Sequence, residues 1–116
     1  MSESAAPASE LRLETEKKGP DQVLVRCSGR MVSGTSPVLQ ATLRPLLSEN
    51  KLMVLDLTDV SYMDSSGLGA IVGVWVTAKR SHCELKMIRL NDRIKELLRM
   101  SNLSSMLEGD QEYFGY

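Results

Sequence analysis

The sequence predicts an α/β domain, a mixed sheet of four to five strands that opens with a hairpin and packs against amphipathic helices. Three observations carry this. Residues 11–16 alternate apolar and polar side chains at period two, and after the turn-forming Lys17-Lys18-Gly19-Pro20-Asp21 a second strand-like segment follows at residues 23–27. Residues 52–57, Leu-Met-Val-Leu-Asp-Leu, form a nearly continuous apolar run of strand length, as expected of a strand covered on both faces. Beyond residue 36, segments of helical period alternate with strand-like ones, so the connections are crossovers between largely parallel strands.

Residues 1–10 are rich in Ser, Ala and Pro and lack apolar periodicity. They read as a flexible tail that buries too little surface to offset its ordering entropy. The first strand keeps polar side chains on one face, which suits a sheet edge. After Gly29 a polar loop leads to Ser36-Pro37, a hydroxyl cap followed by proline at the first helical position. Leu39, Leu43, Leu46 and Leu47 recur at helical spacing, and Pro45, which lacks an N–H, is expected to kink or shorten this helix near Ala41. The apolar run 52–57 is placed centrally in the sheet. Residues 58–63 read as a connecting segment, and 66–80 as a helix whose core stripe is Leu68, Ile71, Val72 and Trp75. Residues 83–90 read as a strand. Asn91-Asp92 caps a third helix that turns Ile94, Leu97, Leu98 and Ser101 inward. Residues 103–107 read as a short last strand and 108–116 as a tail, so the domain spans 11–107.

A chain of 116 residues has room for one core, and 42% hydrophobic with 25% charged residues is the composition of a soluble globular domain. With one Trp, one Phe and three Tyr, that core must be aliphatic. A formal net charge of −1, without a basic stripe interleaved with aromatics, argues against a nucleic-acid partner. No run of about 20 apolar residues and no signal-like N-terminus are present, so no membrane insertion is expected and the location expected is cytoplasmic. Cys27 and Cys83 are too few for a disulfide framework or a thiolate metal site and read as small buried side chains. No cofactor or metal is expected.

The segment Asp64-Ser65-Ser66-Gly67-Leu68-Gly69 falls between an apolar strand and an amphipathic helix, where backbone N–H groups lack intrahelical partners. A phosphate on Ser65 or Ser66 would bring a charge of about −1.5 to −2 to the positive end of the helix dipole, and the fold could persist. A protein packed on that corner would then face a dianion, whose desolvation costs several kcal/mol without a cationic mate. The same residues also have simpler uses: a serine before a helix commonly caps it, and Asp64 suits turn or capping chemistry. Gly69 and Gly73 share one helix face at a cost of roughly 1 kcal/mol each relative to alanine. That cost points either to tight packing on the sheet or to a partner's close approach.

Residues 54–71, VLDLTDVSYMDSSGLGAI, resemble the central signature of STAS domains, and most of all that of the bacterial anti-sigma factor antagonists. Supporting similarity runs from about Leu11 to Leu107 and includes Gly29 and Met100-Ser101-Asn102-Leu103. The resemblance implies a STAS-like fold and a regulatory role without catalysis. It implies phosphorylation of the serine directly after the aspartate, here Ser65 with Ser66 as its neighbour, by an anti-sigma factor that is also an ATP-dependent serine kinase. Unmodified protein then binds the anti-sigma factor and frees the sigma factor, and phosphorylated protein lets go until a serine phosphatase resets it. The implied partner-binding surface comprises Asp64, Ser65, Ser66, Gly67, Leu68, Gly69 and Gly73, with Arg30 and Val32 from the loop after the second strand. Two features depart from the family. A Gly-Glu-Leu-Asp-like run is replaced by Gly29-Arg30-Met31-Val32, which removes an acid near the serine and gives the partner surface a different charge at Arg30. Residues 106–116 hold too little apolar sequence for the family's last helix, leaving an apolar corner for partner docking or weak homodimerisation.

Other functions fit less well. A serine hydrolase would need a base near Ser65, but His82, the only histidine, lies roughly 20 Å along the same helix. Gly67, Gly69 and Gly73 do not match the G-x-G-x-x-G dinucleotide spacing, and a long loop is expected between strand and helix. Asp56, Asp59 and Asp64 lack calcium-loop spacing and read as solvated loop acids. The competing interaction role is a STAS module of a stress-signalling or lipid-transport complex that works without phosphorylation. The altered 29–32 loop favours that role, and the intact Asp64-Ser65-Ser66-Gly67 favours the phosphorylation switch.

Overall fold

The computed structural model describes residues 11–109. Strand β1 (Leu11–Gly19) turns through Pro20 and Asp21 into β2 (Gln22–Met31), and the two pair antiparallel, with Leu13 opposite Cys27 and Thr15 opposite Val25. A 3-10 turn (Ser33–Thr35) leads into α1 (Ser36–Leu47). The chain continues through β3 (Leu52–Met63), α2 (Ser65–Arg80), β4 (Glu84–Ile88), α3 (Asp92–Met100) and the single turn α4 (Ser104–Leu107). The sheet order is β1-β2-β3-β4, with β2, β3 and β4 mutually parallel. An opening hairpin and two helical crossovers therefore give a mixed four-stranded sheet.

Alternation along the strands sorts their side chains onto two faces. Val23, Val25 and Cys27 of β2, Met53, Leu55 and Leu57 of β3, and Leu85 and Met87 of β4 form one cluster with Leu39, Leu43 and Leu47 of α1 and Leu68, Ile71, Val74 and Ala78 of α2. Ile94, Leu98 and Leu107 join it, as do Met31 and Met63 at the strand ends. On the opposite face Leu24, Val54 and Ile88 make a smaller buried cluster with Leu52 beside them. β3 is thus buried on both sides, which is why residues 52–57 read as a nearly continuous apolar run. Both cysteines are buried and free. Burial first, and the charge of Asp56 second, push the Cys27 thiol far above its ordinary range. Burial, and then Glu84, also raise Cys83.

Several expected elements are shifted. β3 runs to Met63, so residues 58–63 are strand and not a connecting segment. Register breaks opposite Arg26/Ser28 and Gly29/Arg30 let the longer strand stay paired with β2. At the first break the Asp56 carboxylate accepts from the Thr58 N–H at 3.0 Å and the Thr58 hydroxyl at 2.6 Å. α1 continues through Pro45 to Leu47, because the proline sits in the last turn and forfeits one backbone donor while Leu43 and Leu47 stay buried. Ser36 does not cap α1; it is the first helical residue, and its hydroxyl donates to the Val32 carbonyl. Buried Thr35 organises this corner instead, accepting from the Val32 N–H and donating to the Arg30 carbonyl at 2.7 Å.

In α2 the buried stripe is Leu68, Ile71, Val74 and Ala78, while Val72 and Trp75 lie half-buried on its flank. The helix packs on α1 as well as on the sheet, which rotates its buried arc away from the one expected. Ser101 is exposed, since α3 ends at Met100 and Asn102 takes a left-handed conformation with φ 59°. Residues 103–107 contain a helical turn, not a strand. Extended pairing comes later, where Glu108 bridges Met87 and the Gly109 N–H donates to the Met87 carbonyl at 2.7 Å. The N-terminal segment 1–10 and the rest of the expected C-terminal tail lie outside the described residues.

Candidate functional site

The corner where β3 meets α2 is built by Asp64 and Gly67. Asp64 has an extended backbone, and its carboxylate accepts from the N–H groups of Ser66 at 3.0 Å and Gly67 at 3.1 Å. Its own N–H donates to the Met31 carbonyl at 3.3 Å, tying the end of β2 to the start of the helix. The aspartate therefore does the capping. Ser65 and Ser66 occupy the first helical turn, both exposed, and among the described residues neither hydroxyl has a hydrogen-bond partner. Two backbone donors are satisfied by Asp64, and the serine hydroxyls remain on the surface at the positive end of the helix dipole.

Gly67 makes the close approach that the sequence had placed at Gly69 or Gly73. A Cβ on Gly67 would lie 2.0 Å from the Met31 carbonyl oxygen and 2.5 Å from its carbon. At Gly69 nothing lies within 4 Å, and at Gly73 the nearest neighbour is the Gln40 side chain of α1 at 3.6 Å, not the sheet. Gly67 and Leu68 are buried within the domain, which removes both from the expected partner-facing set. What remains on the surface is a ridge through Ser65, Gly69 and Val76, flanked by half-buried Val72 and Gly73. Val76 is 40% exposed, and Val38 on α1 is 46% exposed, so apolar surface lies open on both helices.

The loop after β2 brings Arg30 and Val32 to the same end of the sheet. Val32 is half-buried, and its backbone is engaged by Thr35 and Ser36. Arg30 pairs in register with Tyr62, and its guanidinium lies over the Tyr62 ring at 5.2 Å from the centroid. A second guanidinium, that of Arg93 at the start of α3, lies over the same ring at 5.0 Å. Sequence reasoning missed Arg93 and Tyr62. They are 31 residues apart, and no local pattern links them.

The other candidate chemistries are not assembled. Asp56 is bonded to Thr58, Asp59 is exposed on β3 and Asp64 caps α2; among the described residues no group of three or more His, Cys, Asp or Glu is placed to hold a metal ion. Ser65 opens a 16-residue helix roughly 24 Å long, and His82 lies beyond its far end. β3 reaches α2 through Asp64 alone and not by a long loop, but all three glycines lie inside the helix, where they cannot form the tight phosphate turn of a dinucleotide site. A shallow depression of about 590 Å³, lined by Lys51, Trp75, Lys79, His82 and Glu84 among others, opens at the far end of α2, away from Ser65. No helix among the described residues is long and apolar enough to cross a membrane.

Comparison with known proteins places this corner in context. The chain is 32% identical over 92 residues to the anti-sigma-B factor antagonist of Bacillus subtilis, which covers 79% of this chain and 84% of that protein. It is 30% identical over 99 residues to the anti-sigma-B factor antagonist of Listeria monocytogenes, covering 84% and 87%. The fold matches the anti-sigma factor antagonist SpoIIAA in its unphosphorylated form with a TM-score of 0.73 at 15% identity, covering 87% of this chain and 90% of that one. It matches phosphorylated Bacillus SpoIIAA with a TM-score of 0.69 at 15% identity, covering 87% and 94%. The family described as STAS domain matches residues 12–112. With nearly the whole folded chain inside that match, and curated relatives of 30% identity or more along it, the chain belongs to the STAS domain family.

Proposed function

We propose that this protein is an anti-sigma factor antagonist that binds an anti-sigma factor while Ser65 is unmodified, frees the sigma factor, and is switched off by phosphorylation of Ser65. The observation that carries this reading is the division of labour at the start of α2. Asp64 already caps the Ser66 and Gly67 N–H groups, so the Ser65 hydroxyl is surplus to capping and open to a kinase. The anti-sigma factor itself serves as the serine kinase, and a serine phosphatase resets the switch in the cytoplasm. The docking surface comprises exposed Ser65, Ser66 and Gly69 and half-buried Gly73 on α2, together with Arg30 near the end of β2 and Val32 just after it. SpoIIAA, a protein of the same fold, matches this chain in both its unphosphorylated and its phosphorylated form, which supports a switch that alters the surface and leaves the scaffold standing.

Incubation with a candidate anti-sigma kinase and ATP, followed by mass spectrometry, should locate one phosphate at Ser65. Calorimetry should show Ser65→Ala binding the anti-sigma factor like the wild type and Ser65→Asp binding at least about tenfold more weakly, through added charge at a desolvated contact. Equal affinities for Ser65→Asp and wild type would end the switch. That result, with binding retained, would favour the reading in which the domain is a phosphorylation-independent interaction module of a stress-signalling or lipid-transport complex. The loss of the family's acid at Val32 is the observation on that side.

A further inference from the structure

We propose that Arg30 and Arg93, both held against the ring of Tyr62, form a cationic docking edge that receives a carboxylate-bearing segment of the partner protein. The proposal rests on the reading above and names the chemistry of that partner. Three segments converge to build the edge. Arg30 directly precedes Met31, whose carbonyl accepts from the Asp64 N–H and closes over Gly67. Tyr62 is the register partner of Arg30, two residues before Asp64. Arg93 arrives from α3 and donates its Nε to the Met63 carbonyl at 3.4 Å and an Nη to the Tyr62 hydroxyl at 3.5 Å. These contacts gather both guanidiniums on Tyr62, two residues before the Asp64 that caps α2.

Neither arginine has an acidic mate among the described residues. Among the described residues no carboxylate lies within 4 Å of Arg30 or Arg93, whereas Arg26 pairs with Glu16 and Arg99 with Glu96. Two like charges share one aromatic ring, an arrangement that the ring quadrupole favours and mutual repulsion opposes. An arriving anion relieves that repulsion. Each guanidinium is a planar fork suited to bidentate carboxylate contact, and stacking on Tyr62 fixes its plane before the partner arrives, so less side-chain entropy is lost on binding. Arginine and tyrosine are also the residue types most enriched among energetically dominant interface positions. A protein carboxylate suits the edge better than a nucleic-acid backbone, because the whole chain carries a net charge of −1 and exposed Asp59 and Asp92 lie on the elements that bear Tyr62 and Arg93.

The test uses the full chain and a purified anti-sigma factor that binds it, titrated by calorimetry at low and high salt. Arg30→Glu and Arg93→Glu should each weaken binding about tenfold at low salt, and the double reversal more. Arg→Lys at either position should retain part of the affinity by keeping the charge without the fork. Wild-type affinity should fall with added salt, while that of the double reversal should rise as the new repulsion is screened. An acid-to-arginine change in the partner should recover binding of the reversed variant. Arg30→Gln and Arg93→Gln, checked for an unchanged urea midpoint, guard against misfolding as the cause. Reversals that stay within about twofold of wild type, while Ser65→Asp still abolishes binding, would overturn the docking edge and leave the proposed function standing. Failure of the wild-type chain to bind any anti-sigma factor would overturn both.

Discussion

Three glycines within seven residues of α2 answer to different constraints, and substitution separates them. At Gly67 an added methyl meets a backbone carbonyl at 2.0 Å, and that carbonyl is held in place by its bond from the Asp64 N–H. Gly67→Ala should therefore cost about 3 kcal/mol, the upper end of ordinary overpacking, because the obstructing atom cannot rotate away. At Gly69 the same methyl enters open space within a helix, so Gly69→Ala should raise stability by roughly 0.5–1 kcal/mol. Urea unfolding of the two variants checks both signs. If Gly69→Ala is more stable yet binds the anti-sigma factor poorly, that glycine serves the partner and not the fold. A glycine-rich helix start was legible in the sequence. Which glycine was compulsory was not, because the obstructing atom belongs to Met31, 36 residues earlier in the chain.

At the scale of elements, α2 works as a strut with distinct ends. Its N-terminal turn presents Ser65 and Ser66, its middle buries Ile71 and Val74, and its C-terminal half carries Trp75, with the Lys79 ammonium 5.2 Å from the indole centroid. Helical spacing put Trp75 on the core stripe, and full burial there would make its truncation cost about 3–5 kcal/mol. The indole is only half-buried on the flank, so Trp75→Ala should cost about 1–2 kcal/mol by urea unfolding. A loss above about 3 kcal/mol would return the ring to the core. The periodicity located the apolar arc to within one helical position. Its orientation depended on α1 packing beside α2, which a single-helix pattern does not record.

At the scale of the whole molecule, the switch requires that added charge alter binding without unfolding the domain. Ser65→Asp places a carboxylate in the first turn of α2, near the positive pole of the helix, and should leave stability unchanged or raise it by roughly 0.3–1 kcal/mol. A urea midpoint well below wild type, together with lost binding, would mean that the charge acts by unfolding and not by repulsion. The scaffold can absorb the change because the packing that holds α2 lies on its opposite face, through Leu68, Ile71, Val74 and Ala78.

The sequence alone determined the hairpin, the doubly buried β3, the alternation of strands with amphipathic helices and the location of the serine pair at a helix start. Each of these is written in side-chain periodicity or in a short contiguous motif. Only the tertiary structure decided that Asp64 caps the helix and leaves Ser65 free, that Met31 makes Gly67 compulsory, that residues 58–63 continue β3, and that Arg93 joins Arg30 on Tyr62. Those features arise where segments distant along the chain meet, and their contact distances depend on how the sheet and helices pack, which no local pattern encodes.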